Sequence, residues 1–542
     1  KKELKNFCLN DLKWVAGQLQ LKNTNILLKT KTMNDADFVQ NVQKTMRSVI
    51  KDTGIRMSLE QMASIAHELG ICVDEDRPEC QKAKQNADAV TEQIEDIPRF
   101  KKEQLPRQGE TWKKLTSLEK EEIRLKKVGS QNIDVYKARL RENKKDLRHK
   151  QNSYDISAAM ACFINSLSGQ SIERLYFLKW MRINLDNLSR KKLSGLREQY
   201  KEMSKKSDNK EVLKRIDVQL SDSSLGTENF IREMSQIYEA SLTLSESDLS
   251  RKQFQHLPRL CAQLLLDGFP LELVDGDASN IPLRWVSDVL AQLNELVSPN
   301  NKILVVTVLG VQSTGKSTLL NTMFGVQFAV SSGRYIQSGL IKVSEDMKTN
   351  LNCDFLVIID TEGLKSQELA TLENSYEHDN ELATLVVGLS DITIINIAME
   401  NSTEMKDILQ IVVHAFLRMK EIGKKPKCQF VHQNVSDVSA HEKNLRDRKV
   451  LLQQLNEMTQ AAAKMERKEK YKSFTDVMDY DPDSGNWYIP GLWNGSPPMA
   501  PVNAGYSEAV YELKENVIQL LEKSQEKQNK NIKEFVENIC TG

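Results

Sequence analysis

The residues with the clearest chemistry are Gly310-Val311-Gln312-Ser313-Thr314-Gly315-Lys316-Ser317, a Gly-x-x-x-x-Gly-Lys-Ser run followed by Thr318-Leu319-Leu320-Asn321. The two glycines permit a tight loop whose successive backbone N–H groups point inward at phosphate oxygens, and a helix starting at its end adds a positive dipole pole. Lys316 would reach the β- and γ-phosphates, and Ser317 would offer its hydroxyl to Mg²⁺, a hard cation that prefers oxygen ligands. Gly310, Val311, Thr314, Gly315 and Thr318 would complete the phosphate cradle. At average composition the four fixed positions arise by chance in about 2% of chains this long. A strand before them and a helix after lower that further.

Two more elements belong to the same chemistry. Leu356-Val357-Ile358-Ile359-Asp360-Thr361-Glu362-Gly363 is a buried-strand pattern ending on an acid, with a glycine three positions later. There Asp360 can hold a Mg²⁺-bound water and the Gly363 N–H can sense a γ-phosphate. Phe430-Val431-His432-Gln433-Asn434-Val435-Ser436-Asp437 supplies an Asn-x-x-Asp, with Val435 where a lysine would ordinarily stack on the base. The Asp437 carboxylate only accepts hydrogen bonds, so it matches the N1–H and exocyclic amine of guanine and leaves adenine poorly satisfied. Asn434 and Asp437 thus point to GTP and GDP rather than ATP, with an Asx turn as the plain alternative. Gln433 or His432 could share the lysine's task.

These loops need a scaffold that brings strand ends together. Ile303 to Leu309, Phe355 to Ile359, Ile392 to Ala398 and Gln429 to His432 are apolar runs alternating with helical stretches such as Leu319 to Phe324 and Glu404 to Glu421. That grammar describes an α/β P-loop domain, a mostly parallel sheet with helices on both faces. The first half reads differently. Pro78, Pro98 and Pro106 are the only prolines before Pro258, and ten lie from there to Pro501. Apolar stripes at helical spacing (Ile156, Met160, Phe163, Ile164, Leu167; then Leu178, Met181, Leu185, Leu188) fit the inside of a helical bundle. The expected organisation is therefore a helical region over 1–256, a helical transition over 257–300 with a turn at Asp267-Gly268-Phe269-Pro270, and the GTPase domain over 301–542. Lys205 to Lys210 and Ser221 to Gly226 read as helix connections.

Seventy-five basic residues offset seventy-five acidic ones, which removes the global positive field that non-specific nucleic-acid binding relies on. The eight cysteines form no Cys-x-x-Cys pair or zinc-type cluster, as expected in a reducing, intracellular setting where they act as small buried hydrophobes. There is no transmembrane-length apolar run. The start, Lys1-Lys2-Glu3-Leu4-Lys5, has neither an initiator Met nor a signal peptide's apolar stretch, as in an internal piece of a longer protein.

With the P-loop, Asp-Thr-Glu-Gly and Asn-x-x-Asp together, the chain resembles the interferon-induced very large GTPases over Gly310–Phe324, Asp360–Leu364, Ser390–His414 and Phe430–Ser439. Gly268 to Leu273 and Arg284-Trp285-Val286 resemble the segment that precedes their G domain. More distantly it is similar to dynamins, guanylate-binding proteins and atlastins. The resemblance implies a Mg²⁺-dependent, GTP-hydrolysing large GTPase that forms a homodimer or higher homo-oligomer through its G domain. It also implies interferon induction and a role in cell-autonomous defence in the cytoplasm, with the nucleus as a second compartment. Small GTPases place a water-orienting Gln after Asp-x-x-Gly, where this chain has Leu364. Dynamins lack that Gln and use Gln-Ser within the loop, matched here by Gln312 and Ser313, so Gln312 is expected to orient the attacking water and Ser313 to neutralise charge. The family's first switch carries a Mg²⁺-binding Thr, but none lies between Thr322 and Thr349. Either Ser338 substitutes or a mobile loop that carries the Thr is missing from the sequence as given, and the second is favoured because switches disorder without γ-phosphate. Arg334 is a candidate charge stabiliser, or a solvated loop arginine.

Other features have structural readings: His378-Asp379 as loop geometry, His414 as packing, and Asn486 to Trp493 as a partner surface or a loop folded back on the domain. Three functions compete: an assembling GTPase, a nucleotide-binding scaffold with negligible turnover, and an ATPase. Association with a membrane or pathogen surface is not legible in these residues.

Overall fold

The computed structural model describes residues 35–53, 58–71, 73–204, 210–275, 280–311, 314–328, 336–361, 375–398, 402–421, 423, 427–435, 441–494, 500–523 and 530–541. The chain divides into two compact units. The smaller comprises Lys1–Arg77 with Trp493–Pro501 and contains the helices Asp35–Thr53 and Leu59–Glu68. Ser58 caps the second helix in a reciprocal capping box with Gln61.

The larger unit, Pro78–Leu492 with Val502–Gly542, is built around a sheet whose seven strands among the described residues are β1 (Leu271–Val274), β2 (Ile303–Gly310), β3 (Ile336–Lys342), β4 (Phe355–Asp360), β5 (Ile392–Ala398), β6 (Lys427–Gln433) and β7 (Asn486–Ile489). They lie in the order β1-β3-β4-β2-β5-β6-β7. β4, β2, β5, β6 and β7 run parallel, while β3 is antiparallel to both β4 and β1. Both faces of the central strands are covered, which is why they read as mostly apolar runs. Ile303, Val305 and Leu309 point into one core and Leu304, Val306 and Val308 into the other. The second core is closed by the helices Lys316–Phe324 and Ala504–Glu522, through residues such as Leu319, Leu320, Leu513 and Val517.

The first core continues without a break into the helices that precede the sheet. Met160, Phe163, Ile164 and Leu167 of Ala158–Leu167 are buried, as are Leu178, Met181 and Leu185 of Ser171–Ser204, whereas Leu188 is exposed. The stripes are therefore largely the inside of an intrachain bundle. Of the expected connection Ser221 to Gly226, only Ser224 to Gly226 links two helices, since the helix Lys210–Ser223 takes in the first three residues, and of Lys205 to Lys210 only the last lies within the described residues.

Three strands depart from the sequence reading. The 257–300 segment, expected to be helical, holds helices at Leu257–Leu266 and Leu283–Val297 but also β1 between them. Four residues, Leu-Glu-Leu-Val, are too short for periodicity to settle, and pairing with β3 makes them a strand. β3 was hidden by its polar start, Ile-Gln-Ser-Gly. The aromatic stretch from Asn486 begins as β7, in which Tyr488 is buried and the Trp487 indole donates to Gln429 Oε1 at 2.9 Å.

Candidate functional site

Parallel strands with crossover helices deliver their C-terminal ends to one edge, where an α/β sheet places its ligand. Gly310 ends β2, Asp360 ends β4, and Gln433 ends β6. Because side chains alternate across a strand, Asp360, Asn396 of β5 and Gln433 all lie on the face that carries the second core. The helix Lys316–Phe324 packs on that same face.

The phosphate loop enters its helix through Gly315, whose φ of +81° is left-handed backbone that suits glycine. This leaves the first N–H groups of the helix without intrahelical partners, the arrangement an anion can satisfy. Lys316 is buried, with Nζ donating to the Val311 carbonyl at 2.7 Å. The Thr314 hydroxyl donates to the same carbonyl at 2.8 Å. Ser317 and Thr318 occupy the first turn of the helix, half-buried.

Asp360 is buried at the end of β4 and accepts a hydrogen bond from Ser317 Oγ at 2.5 Å through Oδ2. Its Oδ1 is buried without a hydrogen-bond partner among the described residues. Burial raises the carboxyl to about 6, against the opposing effects of the Ser317 hydroxyl and the Lys316 charge. A hydroxyl beside a buried carboxylate with an unsatisfied oxygen is the hard-oxygen donor set that Mg²⁺ prefers, so these residues fit that ion. Among the described residues no group of three or more His, Cys, Asp and Glu forms a dedicated metal cage.

Two residues that sequence reasoning did not single out contribute to the edge. Asn396, in a strand that is apolar apart from it and Thr393, donates through Nδ2 to the Thr314 carbonyl at 3.0 Å and to Thr314 Oγ1 at 2.9 Å. Gln337 of β3 pairs in register with Asp360 and lies on the same face, with its buried Oε1 also lacking a hydrogen-bond partner among the described residues. An amide side chain within a mostly apolar stretch was the available signal for Asn396.

Several expectations need correcting. His432 cannot share in base recognition: it lies on the opposite face of β6 from Gln433, stacks on Tyr488 with centroids 4.7 Å apart, and meets Asn486 Oδ1 at 3.2 Å. Gln433 is engaged with β5, donating through Nε2 to Asn396 Oδ1 at 2.9 Å. Ser338 does not replace a switch threonine. It sits within β3 opposite Ile359, on the face away from Ser317, with its hydroxyl directed at the Leu271 carbonyl of β1.

Asn434 follows β6 with a left-handed φ of 60° and is exposed. Gln312, Ser313, Arg334, Gly363, Leu364 and Asp437 lie outside the described residues. Asp379 is buried within the helix Ser375–Leu389 rather than in a loop, and the side chain of His378 is outside the description. His414 is buried in the helix Ser402–Glu421, its Nδ1 3.2 Å from Glu466 Oε1. Cys80, Cys261, Cys353 and Cys428 are buried thiols, while Cys540 is exposed.

A family model described as the URGCP-like GTPase domain matches residues 119–507, and one described as an up-regulator of cell proliferation-like domain matches residues 1–91. The bovine (Bos taurus) up-regulator of cell proliferation is 36% identical over 534 residues, covering 96% of this chain and 56% of that protein. The Homo sapiens up-regulator of cell proliferation is 36% identical over 532 residues, with the same coverage. Interferon-induced very large GTPase 1 of Homo sapiens is 36% identical over 534 residues, covering 94% of this chain and 22% of that protein. The chain thus spans about half the length of the first two relatives and about a fifth of the third. A GTPase domain over most of the chain implies GTP binding. On the extent of that domain match, the chain belongs to the URGCP-like GTPase domain family, of the type shared by the up-regulators of cell proliferation and the very large GTPases.

Proposed function

We propose that the chain is a Mg²⁺-dependent GTPase whose hydrolysis is coupled to self-association through the GTPase domain. The observation that carries this reading is the pairing of Ser317 with Asp360 at the end of the phosphate loop, with one carboxylate oxygen unsatisfied among the described residues. Gly310, Val311, Thr314, Gly315, Lys316 and Thr318 would hold the phosphates of GTP or GDP. Ser317 and Asp360 would hold Mg²⁺, which supplies charge neutralisation on the phosphate oxygens when bound. Lys316 brings a three-donor ammonium to the same place. Gly363 would sense the γ-phosphate, and Asn434 with Asp437 would select guanine over adenine.

Catalysis is assigned to Gln312 and Ser313 with Lys316, since Leu364 cannot orient water. Likeness to interferon-induced very large GTPase 1 supports interferon induction and cell-autonomous defence. The compartment in this reading is the cytoplasm, with the nucleus as a second location. No helix among the described residues is long and apolar enough to cross a membrane.

Single-turnover GTP hydrolysis across a range of protein concentrations tests the proposal. A rate constant that rises with concentration is expected of an assembling enzyme. Bound GTP that stays unconverted at every concentration would favour the scaffold, which Leu364 and the missing base-stacking lysine make the second reading. ATP displacing GTP at equal concentration would make it an ATPase.

A further inference from the structure

We propose that Asn396 is a positioning residue that ties the phosphate loop to the base-reading loop, so that guanine and phosphates are bound cooperatively rather than as independent halves. The proposal rests on the nucleotide-site reading above. Asn396 is 1% exposed and lies on the face where its neighbours at period two are Ile392 and Ile394. An amide at such a position is costly unless its hydrogen bonds are made. Here Nδ2 donates to both the carbonyl and the hydroxyl of Thr314, and Oδ1 accepts from Gln433 Nε2. Thr314 and Gln433 are themselves buried.

The loop's glycines meet the same two residues. A Cβ on Gly310 would come within 2.3 Å of the Asn396 carbonyl oxygen, and one on Gly315 within 2.8 Å of Gln433 Oε1. The phosphate loop is thus pressed against the ends of β5 and β6 at both of its glycines, with Thr314 held between them. Gln433 is the last residue of β6, and the next residue, Asn434, opens the Asn-x-x-Asp. A base held by that stretch immobilises the end of β6. Through Gln433 and Asn396 the same event restrains Thr314, lowering the ordering cost of phosphate binding. Such shared ordering is a coupling free energy between two subsites, and it is reciprocal.

The test compares two ligands on the full chain by calorimetric titration: MgGDP, which fills both subsites, and magnesium pyrophosphate, which fills one. Gln433→Met breaks the link on the base side and leaves the Asn396–Thr314 bonds in place. It is expected to lower GDP affinity by about five- to tenfold, the loss of one buried hydrogen bond, and pyrophosphate affinity by about twofold at most. Asn396→Leu is expected to weaken both ligands, GDP by the larger factor. Equal factors for the two ligands in Gln433→Met, or no change in either, overturn the proposal whether or not Asn396→Leu folds. A wild-type chain that binds neither ligand overturns the reading of the site itself.

Discussion

Lys316 and Asp360 set the electrostatics of the site from opposite sides. The ammonium is buried, and a buried cation is retained where it meets anionic partners. Lys316→Ala is expected to weaken GDP binding at least tenfold, since hydrogen bonds to charged groups contribute about 1.5–3 kcal/mol. Equilibrium titration with a fluorescent guanine nucleotide measures this, and an unchanged affinity would contradict the assignment. Asp360 brings a pH dependence. Its carboxyl in the nucleotide-free protein lies at about 6, raised by burial, and the protonated form is a poor cation ligand. The Mg²⁺ requirement for nucleotide binding should therefore rise as pH falls through about 6, and Asp360→Asn should remove that inflection. At this scale Lys316 and Ser317 are legible from their spacing alone. Asn396 and Gln337 are not, because the partners that give them meaning arrive from strands distant in sequence, 82 residues away for Asn396 and Thr314.

Among the elements, the loop between β2 and its helix is constrained by packing as well as by dihedrals. Gly310 is extended β-strand, so its requirement for glycine comes from the Asn396 backbone beside it rather than from a left-handed φ. Gly310→Ala should therefore push β2 and β5 apart at their ends, costing about 1–3 kcal/mol of stability as overpacked sites do and weakening nucleotide binding with it. Chemical denaturation and titration on the same variant measure both. An alanine variant with wild-type stability would show that the strands part freely there. The elements themselves were readable where both faces are buried, as in β2, β4 and β5. β1 and β7 are four residues each, and β3 opens on polar residues, so only pairing with a neighbour identifies them.

For the molecule as a whole, the connection between helices and sheet runs through buried charge. Arg232, on the helix Thr227–Ser241, makes a bidentate pair with Glu272 of β1 at 2.7 and 2.6 Å, and the Trp112 indole donates to Asp275 at 2.8 Å. Within the helical part, Arg107 meets the buried Glu233. On the outer side, Arg124 of the helix Glu110–Arg124 pairs with Glu381 of Ser375–Leu389, an exposed contact that adds little stability. Burial raises the Glu272 carboxyl to about 7 despite the opposing Arg232 charge. With the folded value above the unfolded one, its contribution to stability is complete below about 4.5 and is lost as pH rises through about 7. Between pH 5 and 7, wild-type stability should fall more steeply with pH than that of Glu272→Gln, by at most ~1.4 kcal/mol per pH unit. Urea denaturation at a series of pH values reads this directly, and parallel slopes would place the ionisation elsewhere.

The sequence by itself determined the phosphate loop, the acid at the end of the second motif, the α/β class and the helical character of the first half. Each depends on local spacing, local periodicity or the loop geometry that glycine permits. The tertiary structure decided which face of the sheet each strand-end side chain occupies. That turned His432 away from the site and toward Tyr488, enclosed Ser338 between β1 and β4, and brought Asn396 and Gln433 against the loop. It also showed that the helices before the sheet and the sheet itself share one continuous core. Pairing partners and side-chain facing are properties of strands brought together from distant parts of the chain, and no local pattern encodes them.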